Sequence, residues 1–199
     1  LMRQNLVAVD VGTASARAGI FDASGRLLAR ATHPIIMQRP RENHAEHDSG
    51  DIWNAVCTAV KAALADAGIL PQSIGAIGFD ATCSLVIRDH EGEPVSVSVT
   101  GEDRFDTIVW LDHRAIKEAD RLTGSGHRVL DFAGNSVSPE MQMPKLMWLK
   151  NHLPESWARM SFAFDLADFL TWKATGSARR SNCTQTAKWN FLAQENPGW

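Results

Sequence analysis

The sequence contains no tyrosine and only three cysteines, Cys57, Cys83 and Cys183, none of them in a C-x-x-C pair. So sparse and odd a set argues against the disulfide framework of small secreted domains and is typical of a reducing compartment. The sequence also lacks a signal-like apolar start and any run near the ~18 apolar residues that a membrane span requires. We therefore expect a cytoplasmic protein with no membrane partner.

Neither sign of charge is in clear excess, since 20 Lys and Arg face 23 Asp and Glu, for a net charge of −3. Nucleic-acid-binding domains are usually basic, so no nucleic-acid partner is expected. A hydrophobic content of 44% argues against disorder. No G-x-G-x-x-G follows the first apolar run, which disfavours a Rossmann fold. No linker or repeat interrupts residues 1–199, so we expect a single domain.

Short β-rich runs alternate with turn residues at the start of the chain. Three of them cover residues 6–11, 16–21 and 26–32. Because their connections are too short for a parallel return, these runs are predicted to form antiparallel neighbours. Asp48 or Ser49 can cap a helix that ends at Gly68, and an apolar strand follows at residues 73–79. The pattern predicts an α/β fold with a mixed sheet.

The second half of the chain is richer in helical patterns. The spacing predicts strands at residues 85–87 and 162–164 and helices at 112–123, 143–149 and 166–173. Trp148, Trp157 and Trp172 are predicted to be core residues.

The turn after the first strand has the composition of a phosphate-binding loop. Gly12 permits close approach of a ligand to the backbone, and Thr13 and Ser15 supply hydroxyls beside an anion-binding nest of N–H groups. Asp10 is placed to hold a hydrated Mg²⁺ that bridges to phosphates, and Arg17 adds a permanent cation. The alternative is an ordinary β-hairpin whose Asp, Gly, Thr and Ser are only turn formers.

Six segments follow one another along the whole chain. They are VDVGT at 9–13, HAEHD at 44–48, IGFDATC at 77–83, VWLDHR at 109–114, PEMQMPKL at 139–146 and CTQTAKW at 183–189. The first resembles the phosphate-binding hairpin of the sugar-kinase, actin and heat-shock ATPase superfamily. The ordered set resembles the N-terminal domain of FGGY carbohydrate kinases, and most closely their ribulokinase (pentulose kinase) group. The resemblance implies an actin-like ATPase (ribonuclease H-like) domain with helices on both faces of its sheet.

The resemblance also implies a reaction, in which a kinase uses ATP and Mg²⁺ to phosphorylate a terminal hydroxyl of a sugar or polyol partner. By the same resemblance, Ala81, Thr82 and Cys83 contact the sugar and Lys188 hydrogen-bonds its hydroxyls or carbonyl. Asp80 ends an apolar strand, where either a cleft site or a surface turn explains a carboxylate. Ribulose and ribitol are the expected substrates, with other pentuloses and pentitols open. A homodimer is an open alternative for the oligomeric state.

Several polar residues have alternative interpretations. His44 and His47, three positions apart on a polar loop, are predicted to be solvated side chains rather than metal ligands. Trp110, Asp112 and Arg114 line the sugar cleft, or else Trp110 is a core ring and Asp112 caps the next helix. Glu140 either contacts the substrate or braces its loop, and bracing is the prediction.

The resemblance implies a catalytic base that is an aspartate near a Gly-Asp-Gln-type segment at the start of a second domain, and no such segment occurs among these residues. We therefore expect the chain to be an incomplete N-terminal kinase domain that is inactive alone, with the base and the nucleotide-binding domain beyond residue 199. The alternative is a non-catalytic actin-like module that senses a sugar or nucleotide.

Overall fold

The computed structural model describes residues 5–196 and residue 198. Its elements, in chain order, are β1 (Asn5–Val11), β2 (Ser15–Asp22), β3 (Leu27–Pro34), β4 (Met37–Gln38), β5 (Glu46–His47), α1 (Ser49–Ala67), β6 (Ile74–Ala81), β7 (Leu85–Arg88), β8 (Thr107–Ile108), α2 (Ile116–Thr123), α3 (Gln142–His152), α4 (Pro154–Arg159), β9 (Phe162–Asp165), α5 (Leu166–Thr175) and α6 (Asn182–Lys188). Short 3₁₀ helices cover Pro71–Ser73 and Arg128–Phe132.

The residues group into two compact units, each built from two chain segments. Unit 1 holds residues 5–37 and 48–82, and unit 2 holds residues 38–47 together with the described residues from 83 onward. The sequence indicates one domain because none of the three crossings carries a linker-like composition. Assignment of the chain to a single kinase domain stays a prediction.

Unit 1 is a four-stranded sheet in the order β3-β2-β1-β6. The first three strands are antiparallel neighbours, as predicted, and β6 runs parallel to β1. Burial alternates along β1, where Val7, Val9 and Val11 are buried, because successive side chains of a strand point to opposite faces. The opposite face carries Ala8 and Asp10, both exposed.

The long helix α1 packs against β1, β2 and β3 and covers the buried face of that sheet. Of the two predicted caps, Asp48 is the one used, since its carboxylate accepts hydrogen bonds from the N–H groups of Gly50 and Asp51. Gly68 ends the helix at φ 63°, a left-handed conformation that favours glycine. The sequence predicts helices on both faces of the sheet, but within unit 1 α1 covers one face and leaves the face of Asp10 exposed.

Unit 2 contains a small sheet in the order β4-β5-β8-β7-β9, and the chain passes from unit 1 to unit 2 within β4. β5 and β9 pair antiparallel with β8 and β7, respectively. The core holds Leu85, Ile87, Val95, Val97, Ile108, Ala115, Trp148, Leu149 and Trp189, with Trp157 packed against it.

The predicted elements of the second half are present with shifted ends. The helix predicted at residues 112–123 begins only at Ile116, because Asp112 and Arg114 are engaged in a buried ion pair before it. The helices α4 and α6 and the two-residue strand β8 were not predicted from the sequence. None of the helices in the described ranges is long and apolar enough to span a bilayer.

Candidate functional site

In unit 1, three charged side chains lie in a row across the exposed face of the sheet. Arg17 on β2 is the register partner of Asp10 on β1, and Asp10 is in turn the parallel partner of Asp80 on β6. The Arg17 guanidinium lies 3.1 Å from the Asp10 carboxylate, and both side chains are about half exposed. The sheet register therefore brings one cation and two carboxylates together, although Asp80 is 70 positions from Asp10 in the sequence.

The turn between β1 and β2 is as tight as the sequence predicts. The N–H of Gly12 donates to the carbonyl of Ser15 at 3.0 Å. A Cβ on Gly12 would lie only 2.5 Å from a guanidinium nitrogen of Arg17. Glycine at this position thus leaves room for the Arg17 guanidinium over the turn, next to the partly exposed Thr13 and Ser15, and a larger residue would push the guanidinium aside.

The strand β6 leads from Asp80 directly into the predicted substrate-contact residues. The N–H of Thr82 donates to the carbonyl of Val11 at 2.9 Å, which continues the β1–β6 pairing by one residue. The Thr82 hydroxyl oxygen is buried and has no hydrogen-bond partner within the described residues. Ala81 is half-buried.

Asp10, Arg17 and Asp80 line one open cavity of about 600 Å³ in unit 1, together with Ala8, Val9, Ala18, Gly19, Phe21, Leu27, Arg30, Ala31 and Thr32. No cluster of three or more His, Cys, Asp or Glu residues that could hold a metal was found in the described ranges. Two neighbouring carboxylates beside a tight glycine turn nonetheless fit Mg²⁺, which usually keeps several waters and takes one or two protein carboxylates plus phosphate oxygens.

In unit 2, two polar side chains of α3 are fully buried where a helix normally presents apolar ones. The amide of Gln142 donates to the backbone carbonyl of Cys83 at 3.0 Å. The amine of Lys145 donates to the carbonyls of Val109 and Trp110 at 3.0 and 3.2 Å. Both residues are 0% exposed, so α3 ties three motif segments together through buried hydrogen bonds.

Burial shifts the titration of two groups in this region. Desolvation lowers the pKa of Lys145 to about 7, against the attraction of Asp112, which raises it. Burial also raises the pKa of Asp165 to about 7, even though its carboxylate accepts from the N–H of Ala167. Asp165 lies 3.5 Å from the Gln142 amide nitrogen, so one of the two shifted groups belongs to α3 and the other contacts it.

The predicted sugar-binding lysine, Lys188, is the last residue of α6 and is 22% exposed. Its amine lies 3.7 Å from a carboxylate oxygen of Glu140, beyond hydrogen-bond distance. The other oxygen of Glu140 lies 3.2 Å from Nε2 of His113. Because no described residue hydrogen-bonds the Lys188 amine, its N–H donors remain available to a ligand.

Within the segment 109–114, Asp112 and Arg114 have a structural role. Arg114 is buried and contacts the carboxylates of Asp112 and Glu46 at 2.8 and 2.9 Å, and it also donates to the carbonyl of Val97. Asp112 accepts from the N–H of Ala45 and does not cap α2. Asp112 and Arg114 therefore brace the loop, as does the backbone of Trp110.

The prediction of solvated His44 and His47 is wrong. His44 is 8% and His47 1% exposed, because residues 44–47 run through the interior of unit 2, whereas residues 41–43 before them are exposed. The ring of His44 packs edge-on against Trp148 at 5.4 Å between centroids. Desolvation lowers the pKa of His44 to about 4, so the imidazole is neutral at pH 7.

The structure brings together Asp10, Gly12, Arg17 and Asp80 in unit 1, and it places Cys83 and Lys188 in unit 2. Sequence reasoning missed Gln142, Lys145 and Asp165. A usable signal was present, because Gln142, Lys145 and Leu149 recur at helical spacing on the face that an apolar stripe should occupy.

Residues 5–195 match the model of the N-terminal domain of the FGGY family of carbohydrate kinases. The chain belongs to this family. It is 46% identical over 194 residues to a human FGGY carbohydrate kinase domain-containing protein, covering 97% of this chain and 34% of the relative. It is 42% identical over 189 residues to a D-ribulokinase of Saccharomyces cerevisiae, covering 94% of this chain and 26% of that protein. The chain thus spans about a third or less of the length of these relatives.

Solved structures agree on the fold. A ligand-bound xylulose kinase from Lactobacillus acidophilus superposes with a TM-score of 0.82 at 19% identity, over 98% of this chain and 38% of that one. A sugar kinase from Brucella ovis, described as a xyloylose kinase, superposes with a TM-score of 0.76 at 24% identity, over 87% of this chain and 34% of that one. The predicted α/β, actin-like ATPase fold with a mixed sheet is confirmed.

The raised pKa of Asp165 predicts a pH-dependent effect of the substitution Asp165→Asn. Between about pH 4 and pH 7 the folded wild type holds a proton that the unfolded chain releases, so its stability falls as pH rises through this window. Asparagine keeps the side-chain shape and does not titrate. The stability of Asp165→Asn relative to wild type should therefore increase from pH 4 to pH 7, by about 1.4 kcal/mol for each unit of pKa difference.

Urea unfolding at several pH values measures this difference. Asp66→Asn, on the exposed face of α1, is the matched control and should give a nearly constant difference. If the stability difference between Asp165→Asn and wild type also stayed constant from pH 4 to pH 7, the raised pKa of Asp165 would be contradicted.

Proposed function

We propose that the full-length protein containing this chain is an ATP-dependent kinase that phosphorylates a terminal hydroxyl of a pentulose or pentitol, with ribulose and ribitol as the first candidates. The observation that carries the proposal is the Lys188 amine, which is sheltered, held near Glu140 and without a hydrogen-bond partner among the described residues. Family membership and the similarity to a D-ribulokinase support the choice of substrate.

The residues of unit 1 are proposed to act on the phosphate side of the reaction. Gly12, Thr13 and Ser15 would present backbone N–H groups and hydroxyls to phosphate oxygens, and Arg17 would add positive charge. Asp10 would hold Mg²⁺, which when bound neutralises charge on the transferring phosphoryl group. The 3.1 Å contact between Arg17 and Asp10 keeps both side chains oriented over the turn before phosphate arrives.

Asp80, Ala81 and Thr82 are proposed substrate contacts of unit 1. The unpartnered hydroxyl of Thr82 is suited to a sugar hydroxyl, since a buried polar oxygen gains a hydrogen bond when a ligand supplies one.

Cys83 and Lys188 are proposed substrate contacts of unit 2. The carbonyl of Cys83 accepts from Gln142, and its half-buried side chain is small enough to pack against a sugar. Lys188 would donate to a hydroxyl or to the carbonyl of an open-chain ketose.

The sugar hydroxyl must lose its proton as it attacks the γ-phosphoryl group, which requires a carboxylate base within hydrogen-bond reach. We propose that this base lies outside residues 1–199 and that these residues alone have no kinase activity. The second candidate function, a non-catalytic sensing module, would use the same contacts to bind sugar or nucleotide without turnover.

A substrate panel tests the proposal. The full-length protein, supplied with ATP and Mg²⁺, should phosphorylate at least one of ribulose, xylulose, ribitol and xylitol. With the preferred substrate, Lys188→Met should raise the sugar KM about 10-fold, because a hydrogen bond from a charged donor is lost. Lys117→Met, at an exposed lysine of α2, is the control and should leave KM unchanged.

Two results would contradict this proposal. Binding of a pentulose or pentitol without any phosphorylation would favour the sensing module. An unchanged sugar KM in Lys188→Met would remove Lys188 from the substrate site.

A second experiment tests the role of Asp10. Asp10→Asn should lower kcat/KM on the order of 100-fold, the size typical of losing one electrostatic contact at a reacting centre. The Mg²⁺ concentration at half-maximal rate should also rise, because the amide is a poorer Mg²⁺ ligand than a carboxylate. Asp66→Asn is the control on the same unit. If Asp10→Asn retained the wild-type rate and Mg²⁺ dependence, Asp10 would not be the metal-binding residue.

A further inference from the structure

Glu140 occupies the middle of a three-residue contact in unit 2. One carboxylate oxygen lies 3.2 Å from Nε2 of His113, and the other lies 3.7 Å from the amine of Lys188. The side chain of Glu140 is 27% exposed, that of His113 46% and that of Lys188 22%. The contact therefore lies at the surface, and its lysine end is the most sheltered. We call these three side chains the Glu140 bridge.

The three members of the bridge come from different segments of unit 2, and two of these segments are held by contacts of their own. His113 stands between Asp112 and Arg114, whose side chains are locked in the buried ion pair. Glu140 lies just before α3, and its N–H donates to the Ser138 hydroxyl at 3.2 Å. Because His113 and Glu140 have fixed backbones, their contact restricts where the Glu140 carboxylate can lie.

The charges around Lys188 explain why its amine needs a carboxylate. The charge of Lys188 acts on Lys145, whose amine is buried under the carbonyls of Val109 and Trp110. When Lys145 is protonated, the two ammonium groups repel each other, and the partly exposed Lys188 is the one that can move away. Glu140 supplies the opposing charge 3.7 Å from Lys188, and Asp165 adds to it when it is ionised.

The 3.7 Å between the Lys188 amine and the Glu140 carboxylate orients the amine without using its hydrogen-bond donors. At this distance Glu140 attracts the ammonium without taking a hydrogen bond, so all three N–H donors can point to a ligand. A direct carboxylate hydrogen bond would have to be broken each time a sugar bound.

We propose that Glu140 is the positioning residue of Lys188 and that His113 in turn positions Glu140, so that the lysine amine is presented to a hydroxyl-bearing ligand. The inference rests on the proposed function for the identity of that ligand. It assigns Glu140 a role beyond bracing its loop and gives His113 a role that its exposed position does not suggest.

Steady-state kinetics of the full-length kinase give the first test. Glu140→Gln should raise the sugar KM about 10-fold, whereas the ATP KM and kcat at saturating sugar should stay within about 3-fold of wild type. His113→Leu should raise the sugar KM by a smaller factor, about 3-fold, because it acts through Glu140. His113→Gln should keep the wild-type KM, since the glutamine amide nitrogen can donate to Glu140 in place of Nε2.

Non-additivity gives a sharper version of the same test. The double variant Glu140→Gln with Lys188→Met should have the same sugar KM as Lys188→Met alone, because Glu140 acts only through the lysine. The proposal would be overturned if the KM increase of the double variant equalled the product of the two single-variant increases. It would also be overturned by an unchanged sugar KM in Glu140→Gln.

Amine labelling tests the bridge without any kinase activity. An acylating reagent, followed by peptide mass spectrometry, should modify Lys188 several-fold faster in Glu140→Gln and His113→Leu than in wild type or His113→Gln. Labelling of Lys117 is the internal control and should be equal in all four proteins. Equal labelling of Lys188 in wild type and Glu140→Gln would refute the bridge. The expected labelling without phosphorylation of any sugar would refute the proposed function and leave the bridge standing.

Discussion

A single buried guanidinium, that of Arg114, organises the candidate site of unit 2. It contacts Glu46 and Asp112 and lies 4.9 Å from the centre of the Trp148 ring. Such a buried network contributes little net stability over apolar packing, yet removing one partner would leave an unpaired buried charge at a cost of about 3–5 kcal/mol. The main consequence of this network is structural specificity, because it holds the loop after β8 in one conformation.

That loop in turn supplies the groups on which the site depends. Its backbone carbonyls, those of Val109 and Trp110, accept the buried amine of Lys145, and its next residues carry the imidazole of His113 towards Glu140. The interior of unit 2 therefore holds several polar side chains: backbone carbonyls accept from Gln142 and Lys145, and carboxylates pair with Arg114. Lys188 differs from Lys145 and Arg114, because no described residue hydrogen-bonds its amine and its side chain is 22% exposed. Donors that are available to a ligand are what a sugar-binding residue requires.

Features that depend on neighbouring residues were predictable from the sequence, and those that depend on distant partners were not. The Asp10 turn, the β1–β2–β3 hairpins and the Asp48 cap follow from local turn and capping chemistry. The burial of His44 does not, because it depends on a loop that enters unit 2. The role of Asp112 likewise depends on Arg114 reaching Glu46, 68 positions away in the sequence. The polar residues of α3 were missed because helical spacing can mark the buried face of α3 but does not identify the distant carbonyls that accept from a buried lysine.

The central claim is that the Lys188 amine binds the sugar of a pentulose or pentitol kinase. A crystal structure of the full-length protein with its phosphorylated or unphosphorylated substrate tests this most directly. The account predicts a sugar oxygen within about 3.2 Å of Nζ of Lys188, with Glu140 still between His113 and the lysine. A substrate bound with no oxygen near Lys188, or Glu140 turned away from the lysine in the complex, would contradict it.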